Sequence, residues 1–154
     1  MKILSFDQAT LLTGYAVFDD NSYVESGVIT KSKSINIAER IPSMALAICA
    51  KIKEHKPDVC IIEDVQTQSN QKTVIDLARL QGGIIMYCKS KSIPIKILHP
   101  SEWRRLLGFA QGNKVGREEL KQQAVNYVEE LGLNISSQDE CEAICINVAA
   151  QKIF

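Results

Sequence analysis

Four carboxylates sit where strands or helices end or begin: Asp7, Glu63, Asp139 and Glu142. Asp7 closes the apolar run Lys2-Ile3-Leu4-Ser5-Phe6-Asp7, and Glu63 closes Val59-Cys60-Ile61-Ile62-Glu63. Asp139 and Glu142 are three apart at the start of a late amphipathic segment, so on a helix they share a face. An acid at the end of a buried strand is costly to desolvate unless it is paired or bound to a cation. Two strand-end acids and an i,i+3 acidic pair can build an oxygen-rich pocket for hard divalent cations. Such a pocket suits metal-assisted phosphodiester hydrolysis. Taken singly, each acid also fits a turn, a cap or the helix dipole, and only the combination favours a site.

The elements that must position these acids follow from periodicity and punctuation. Residues 2 to 30 read as three short strands in an antiparallel meander, with Asp19-Asp20-Asn21-Ser22 as a turn. Ile37, Ile41, Met44, Ala45, Ile48 and Ile52 recur with helical period, and Pro42 falls either in that helix's first turn or at a kink. Pro57-Asp58 separates this helix from the strand ending at Glu63, and Asp64 is left to the loop that follows. Val74 to Cys88 marks a second helix, whose Gly82-Gly83 costs helix propensity and points to close backbone packing. Ile93 to Leu98 reads as a fifth strand, and Ser101 as the cap of a short helix ending near Leu107. A Gly-rich loop, 108–116, precedes a helical stripe from Leu120 to Leu131 that Gly132 terminates. Ser137-Gln138-Asp139-Glu140 fits a capping box, with Glu140 reaching back to the Ser137 amide. The order indicates one α/β domain, residues 1–154, built on a mixed sheet.

Composition is that of a globular protein, and no apolar run approaches the ~18 residues needed to span a membrane. The five cysteines form no CxxC pair and read as reduced core residues of a cytoplasmic protein. His55 and His99 have no metal-ligand spacing and read as surface or turn residues, while Trp103 reads as core. The formal net charge is zero, yet its distribution is uneven. Residues 89–121 carry eight basic and three acidic side chains, and residues 122–154 carry one and five. Arg104, Arg105, Lys114, Arg117 and Lys121 make the basic block a candidate phosphate-binding tract.

These residues resemble a known family. Ile3-Leu4-Ser5-Phe6-Asp7-Gln8-Ala9-Thr10 followed by Thr13-Gly14-Tyr15-Ala16-Val17-Phe18 is similar to the opening of RuvC-type Holliday junction resolvases. Ile61-Ile62-Glu63 resembles their second acidic motif, and Asp139-Glu140-Cys141-Glu142-Ala143-Ile144 their Asp-x-x-Asp-Ala helix. The likeness spans nearly the whole chain and is greatest to the short bacteriophage branch. It implies a ribonuclease H-like fold with a five-stranded mixed sheet flanked by helices. It also implies a homodimer that cleaves four-way DNA junctions, and possibly other branched DNA, with Mg²⁺ or Mn²⁺, two ions per site. Asp7, Glu63, Asp139 and Glu142 then correspond to the metal-binding acids, with Asp7 bridging the ions, and Arg104, Arg105, Lys114, Arg117 and Lys121 to DNA contacts. Three departures stand out: Gln8-Ala9 in place of Pro-Gly, Glu142 in place of aspartate, and Val65, Gln66 and Gln68 where cellular relatives often carry an aromatic wedge.

Two other functions share these residues. A ribonuclease acting on RNA or RNA–DNA hybrid would use the same acids, and a non-cleaving junction-binding protein would use the same basic tract. Asp7 to Gly14 also resembles the phosphate loop of actin-like sugar kinases, but 154 residues leave no room for a second lobe.

Overall fold

A computed structural model describes residues 1–67 and 70–154. The elements are β1 (Lys2–Asp7), β2 (Leu12–Asp19), β3 (Ser22–Thr30), α1 (Ile37–His55), β4 (Val59–Glu63), α2 (Gln71–Ser90), β5 (Ile95–Leu98), α3 (Pro100–Leu106), α4 (Arg117–Glu130) and α5 (Gln138–Gln151). The strands form one sheet in the order β3-β2-β1-β4-β5. β1, β2 and β3 are the expected antiparallel meander, while β4 and β5 add in parallel on the other side of β1.

β1 and β4 are covered on both faces, which explains their unbroken apolar runs. Their alternation assigns the faces. Leu4 and Phe6 of β1 with Cys60 and Ile62 of β4 pack against Met44, Ile48, Leu80 and Ile84 of α1 and α2. Ile3, Val59 and Ile61 pack on the opposite face with Ile144, Cys145, Ala149 and neighbouring α5 residues. Side chains two apart on a strand share a face, so Asp7 and Glu63 both project on the α5 side.

Several local expectations change. Pro42 is not in the first turn of α1, and the helix runs on through it to His55. It stands six residues in, on the exposed face, where water can reach the carbonyl that loses its helical donor. Of the glycine pair, Gly83 packs close enough that an added β-carbon would lie 3.5 Å from Ala45 Cβ, whereas at Gly82 it would meet open space. An ordinary contact and open space would both accept a β-carbon, so close packing within the chain requires neither glycine. α3 is capped by His99, not Ser101: the Nδ1 of His99 accepts from the Ser101 amide at 3.3 Å, and Pro100 takes the first helical position. His55 is not a surface residue, since its side chain is 11% exposed and its Nε2 lies 3.1 Å from Glu25 Oε1. Four cysteines are buried, Cys49 is partly so, and all five are free thiols. Among the described residues no helix is long and apolar enough to cross a membrane.

Candidate active site

Asp7 and Glu63 end adjacent parallel strands in which Phe6 lies opposite Ile62, so both acids emerge at the carboxyl edge of the parallel part of the sheet. That edge is where open α/β sheets place ligands. Gln8 fixes the two ends relative to each other. Its side-chain oxygen accepts from the Glu63 amide at 3.2 Å, and its Nε2 donates to the Glu63 carbonyl. The side-chain amide thus continues the β1–β4 ladder by one rung. Gln81 donates to the same carbonyl at 3.2 Å. Pro or Gly at position 8 could supply no such side chain, so this departure from the family pattern has a structural role here.

α5 brings the other two acids to β1. Ser137 caps it, accepting from the Glu140 amide at 3.4 Å. Glu140 does not complete a reciprocal box; its Oε1 accepts from Ser26 Oγ at 2.6 Å and ties the start of α5 to β3. A close long-range donor has displaced the local partner. Further along, the Asn147 amide nitrogen lies 3.0 Å from the Ile3 carbonyl, 3.1 Å from the Ala16 carbonyl and 3.1 Å from Ser5 Oγ. Ser5 Oγ in turn donates to the Ala143 carbonyl at 2.7 Å. Buried polar groups satisfied in this way fix helix position more sharply than apolar packing does. Gly14, opposite Asp7 in the β1–β2 register, lets the first turn approach: a β-carbon there would overlap the Asp139 carbonyl and lie 2.9 Å from the Glu140 amide nitrogen.

The result is a tight group. Carboxylate oxygens of Asp7, Asp139 and Glu142 all lie within 4.8 Å of one another. Glu63 lines the same cleft but stands outside that group of three, its Oε1 accepting from the buried Trp103 indole at 2.8 Å. Trp103 is core, as its sequence context implies, and it also serves an acid of the site.

The electrostatics follow from crowding. Burial, then the charges of Glu63, Glu142 and Asp139, hold the Asp7 carboxyl well above the usual carboxylate range. Glu63 is pushed up to about 7 by burial and the Glu142 charge, against the Trp103 hydrogen bond and the Arg104 charge. Burial also raises Glu142, opposed by Arg104 and Lys121. Acids whose protons are retained because their neighbours are acids are stabilised when a cation replaces those protons. The donor set is all oxygen, which fits hard divalent ions. A second acid group, Glu25, Glu54 and His55, differs in this respect. Lys51 already serves it, its Nζ 3.0 Å from Glu54 and 3.7 Å from Glu25.

The acids open onto a cleft of about 960 Å³. Of the five basic residues singled out, Arg104, Arg117 and Lys121 line it, whereas Arg105 and Lys114 are exposed and do not. Helix periodicity separates the neighbours Arg104 and Arg105: one turns inward beside Glu142, at 3.6 Å, and the other outward. The sequence reading missed Arg40, Lys72 and Asp64, which also line the cleft. Arg40 and Lys72 fall in residues 1–88, whose nine basic and ten acidic side chains show no net surplus, so the coarse charge distribution does not mark them. Val65 and Gln66 border the cleft without an aromatic; Gln68 lies outside the described residues.

A family model for the crossover junction endodeoxyribonuclease RuvC matches residues 3–150, all four acids included. The chain belongs to the RuvC family. A RuvC of Fusobacterium nucleatum is 29% identical over 154 residues, the match covering 95% of this chain and 78% of the relative. The fold is that of T. thermophilus RuvC solved with a Holliday junction substrate, at a TM-score of 0.75 and 13% identity over 97% of this chain and 91% of that one. It is also that of a fowlpox virus resolvase solved with Holliday junction DNA, at 0.69 and 13% identity over 99% and 98%. The ribonuclease H-like expectation holds, five-stranded mixed sheet included.

Proposed function

We propose that this chain is a metal-dependent, structure-selective DNA endonuclease that hydrolyses phosphodiesters at four-way junctions. The observation that carries the reading is the convergence of Asp7, Asp139 and Glu142 within 4.8 Å beside Glu63, at the floor of a cleft with cationic side chains on its wall. Asp7, Asp139, Glu142 and Glu63 would hold Mg²⁺ or Mn²⁺, two ions per site. When bound, the ions supply an activated water and charge stabilisation on the phosphate in flight. The protein's own work is orientation. Asp7 belongs to the group of three and ends the strand that pairs with the Glu63 strand, so it is the acid that would serve both ions. Arg104 balances charge at Glu142, while Arg117 and Lys121 hold the phosphate backbone without reading bases.

A junction offers paired scissile strands, which a two-fold dimer meets with two identical sites. Much of the apolar content of α2 is spent in the core, but Ile75, Arg79, Gly82 and Met86 form an exposed stripe seven and four residues apart in phase. That stripe is the proposed dimer face. Like its bacterial RuvC relatives it would meet junction DNA in the cytoplasm of a bacterial cell, whether the gene is the cell's or a phage's.

A cleavage panel tests the assignment: four-way junction, fork, flap, linear duplex and RNA–DNA hybrid, each with Mg²⁺, Mn²⁺ or chelator. The junction should be cut preferentially and only with metal, and Asp7→Asn should bind it without cutting. Preferential cutting of the hybrid would favour the ribonuclease reading, and junction binding without cutting in any metal would favour a scaffold.

A further inference from the structure

We propose that Trp103 is a positioning residue for Glu63, its indole N–H holding one carboxylate oxygen so that the acid stands apart from the Asp7, Asp139 and Glu142 group. The inference rests on the reading of these four acids as cation ligands. Trp103 is fully buried, and a buried indole N–H needs an acceptor. Its acceptor is not a backbone carbonyl but Glu63 Oε1, at 2.8 Å.

The ring is fixed on two sides. Phe109 packs edge-on with ring centroids 5.8 Å apart, and the Arg104 guanidinium carbon lies 4.7 Å from the Trp103 ring. Phe109 is itself held by Tyr127 of α4, at 5.7 Å. The indole therefore has no room to follow a moving carboxylate, and the carboxylate is held where the indole is. Adjacent residues of α3 thus address the cleft's acids separately: Trp103 contacts Glu63 and Arg104 contacts Glu142. Glu63 has the Gln8 and Gln81 bonds on its backbone, but among the described residues only the Trp103 bond restrains its carboxylate. Partners of this kind set the orientation of a metal-ligating carboxylate, and losing one typically weakens metal binding by roughly 10–100-fold.

Trp103 is the sole tryptophan, which makes a clean test available. Growth on 3-benzothienylalanine replaces the indole N–H by sulfur at this position alone and leaves the ring shape nearly intact. Trp103→Phe serves as a second variant. Free Mn²⁺ is measured by electron paramagnetic resonance during titration of wild type, both variants and Asp7→Asn, and junction affinity is measured in chelator. The expected result is a Mn²⁺ midpoint raised by roughly 10-fold or more in the benzothienyl protein, with metal-free junction affinity unchanged. Unchanged Mn²⁺ midpoints, with wild-type binding still abolished by Asp7→Asn, would overturn the role of Trp103 and leave the acid site standing. Failure of wild type to bind Mn²⁺, or binding that Asp7→Asn does not weaken, would overturn the site itself and this inference with it.

Discussion

Replacing Gly14 by alanine should damage catalysis far more than folding. The added β-carbon would overlap the Asp139 carbonyl and crowd the Glu140 amide at 2.9 Å. Restoring ordinary contacts of ~3.5 Å requires the first turn of α5 to withdraw by about 1.5 Å from its overlap with the Asp139 carbonyl. The Ser5 and Asn147 hydrogen bonds anchor the helix deeper in the sheet, so the strain concentrates at the end carrying Asp139. Overpacking of this kind costs about 1–3 kcal/mol, which for a chain of this length lowers Tm by roughly 2–4 °C per kcal/mol. Misplacement of a catalytic group by about 1 Å can cost on the order of 100-fold in rate. Single-turnover cleavage of a saturating junction should therefore fall about 100-fold, with junction affinity reduced much less, because Arg117 and Lys121 belong to α4. Gly83→Ala, outside the proposed dimer face, is the control: its added carbon would make only an ordinary 3.5 Å contact with Ala45 Cβ, and it should stabilise α2 by up to about 1 kcal/mol. A Gly14→Ala protein that cleaves within threefold of wild type would refute the claim that close approach at Gly14 sets the acid geometry.

Three further outcomes are expected. The folded protein holds protons on Asp7 and Glu63 that the unfolded chain releases, so metal-free stability should fall as pH rises from about 4.5 through 7. The Glu63 shift from 4.5 to about 7 corresponds to roughly 3 kcal/mol above pH 7. Melts in chelator should show Glu63→Gln gaining on wild type by that order between pH 5 and 8, and a pH-independent difference would exclude the effect. In junction titrations at several salt concentrations, Arg117→Ala and Lys121→Ala should each reduce the salt slope by about 0.9, whereas Arg105→Ala and Lys114→Ala, outside the cleft, should change it by less than about half that. Unchanged slopes for the first pair would move the DNA path elsewhere. Light scattering should give a dimer that Met86→Glu converts to monomer with little change in Tm, since Met86 is 71% exposed; a wild-type monomer at micromolar concentration that still cleaves would exclude the dimer face.

The sequence by itself determined the elements and the four acids, because both are written in near neighbours. Asp7 and Glu63 each close an unbroken apolar run, and helical spacing fixes that Asp139 and Glu142 share a face. Family motifs around the same residues supply their order along the chain. Local reading failed where a distant group outcompeted a near one. Glu140 fits a capping box, yet Ser26, 114 residues away in sequence, takes its carboxylate. Trp103 carries an apolar signature, and only the crossing of α3 over the end of β4 brings its N–H to Glu63. Gln8 looks like an ordinary loop residue until β4 lies beside β1 and offers an unfilled rung. Arg104 and Arg105 stand in the same basic block and only Arg104 lines the cleft, which Arg40 and Lys72 enter from a part of the chain, residues 1–88, with no net basic surplus. Periodicity depends on a residue's own turn or pleat; hydrogen-bond partners and close approaches depend on the register and packing of elements far apart in the chain, which the tertiary structure alone decides.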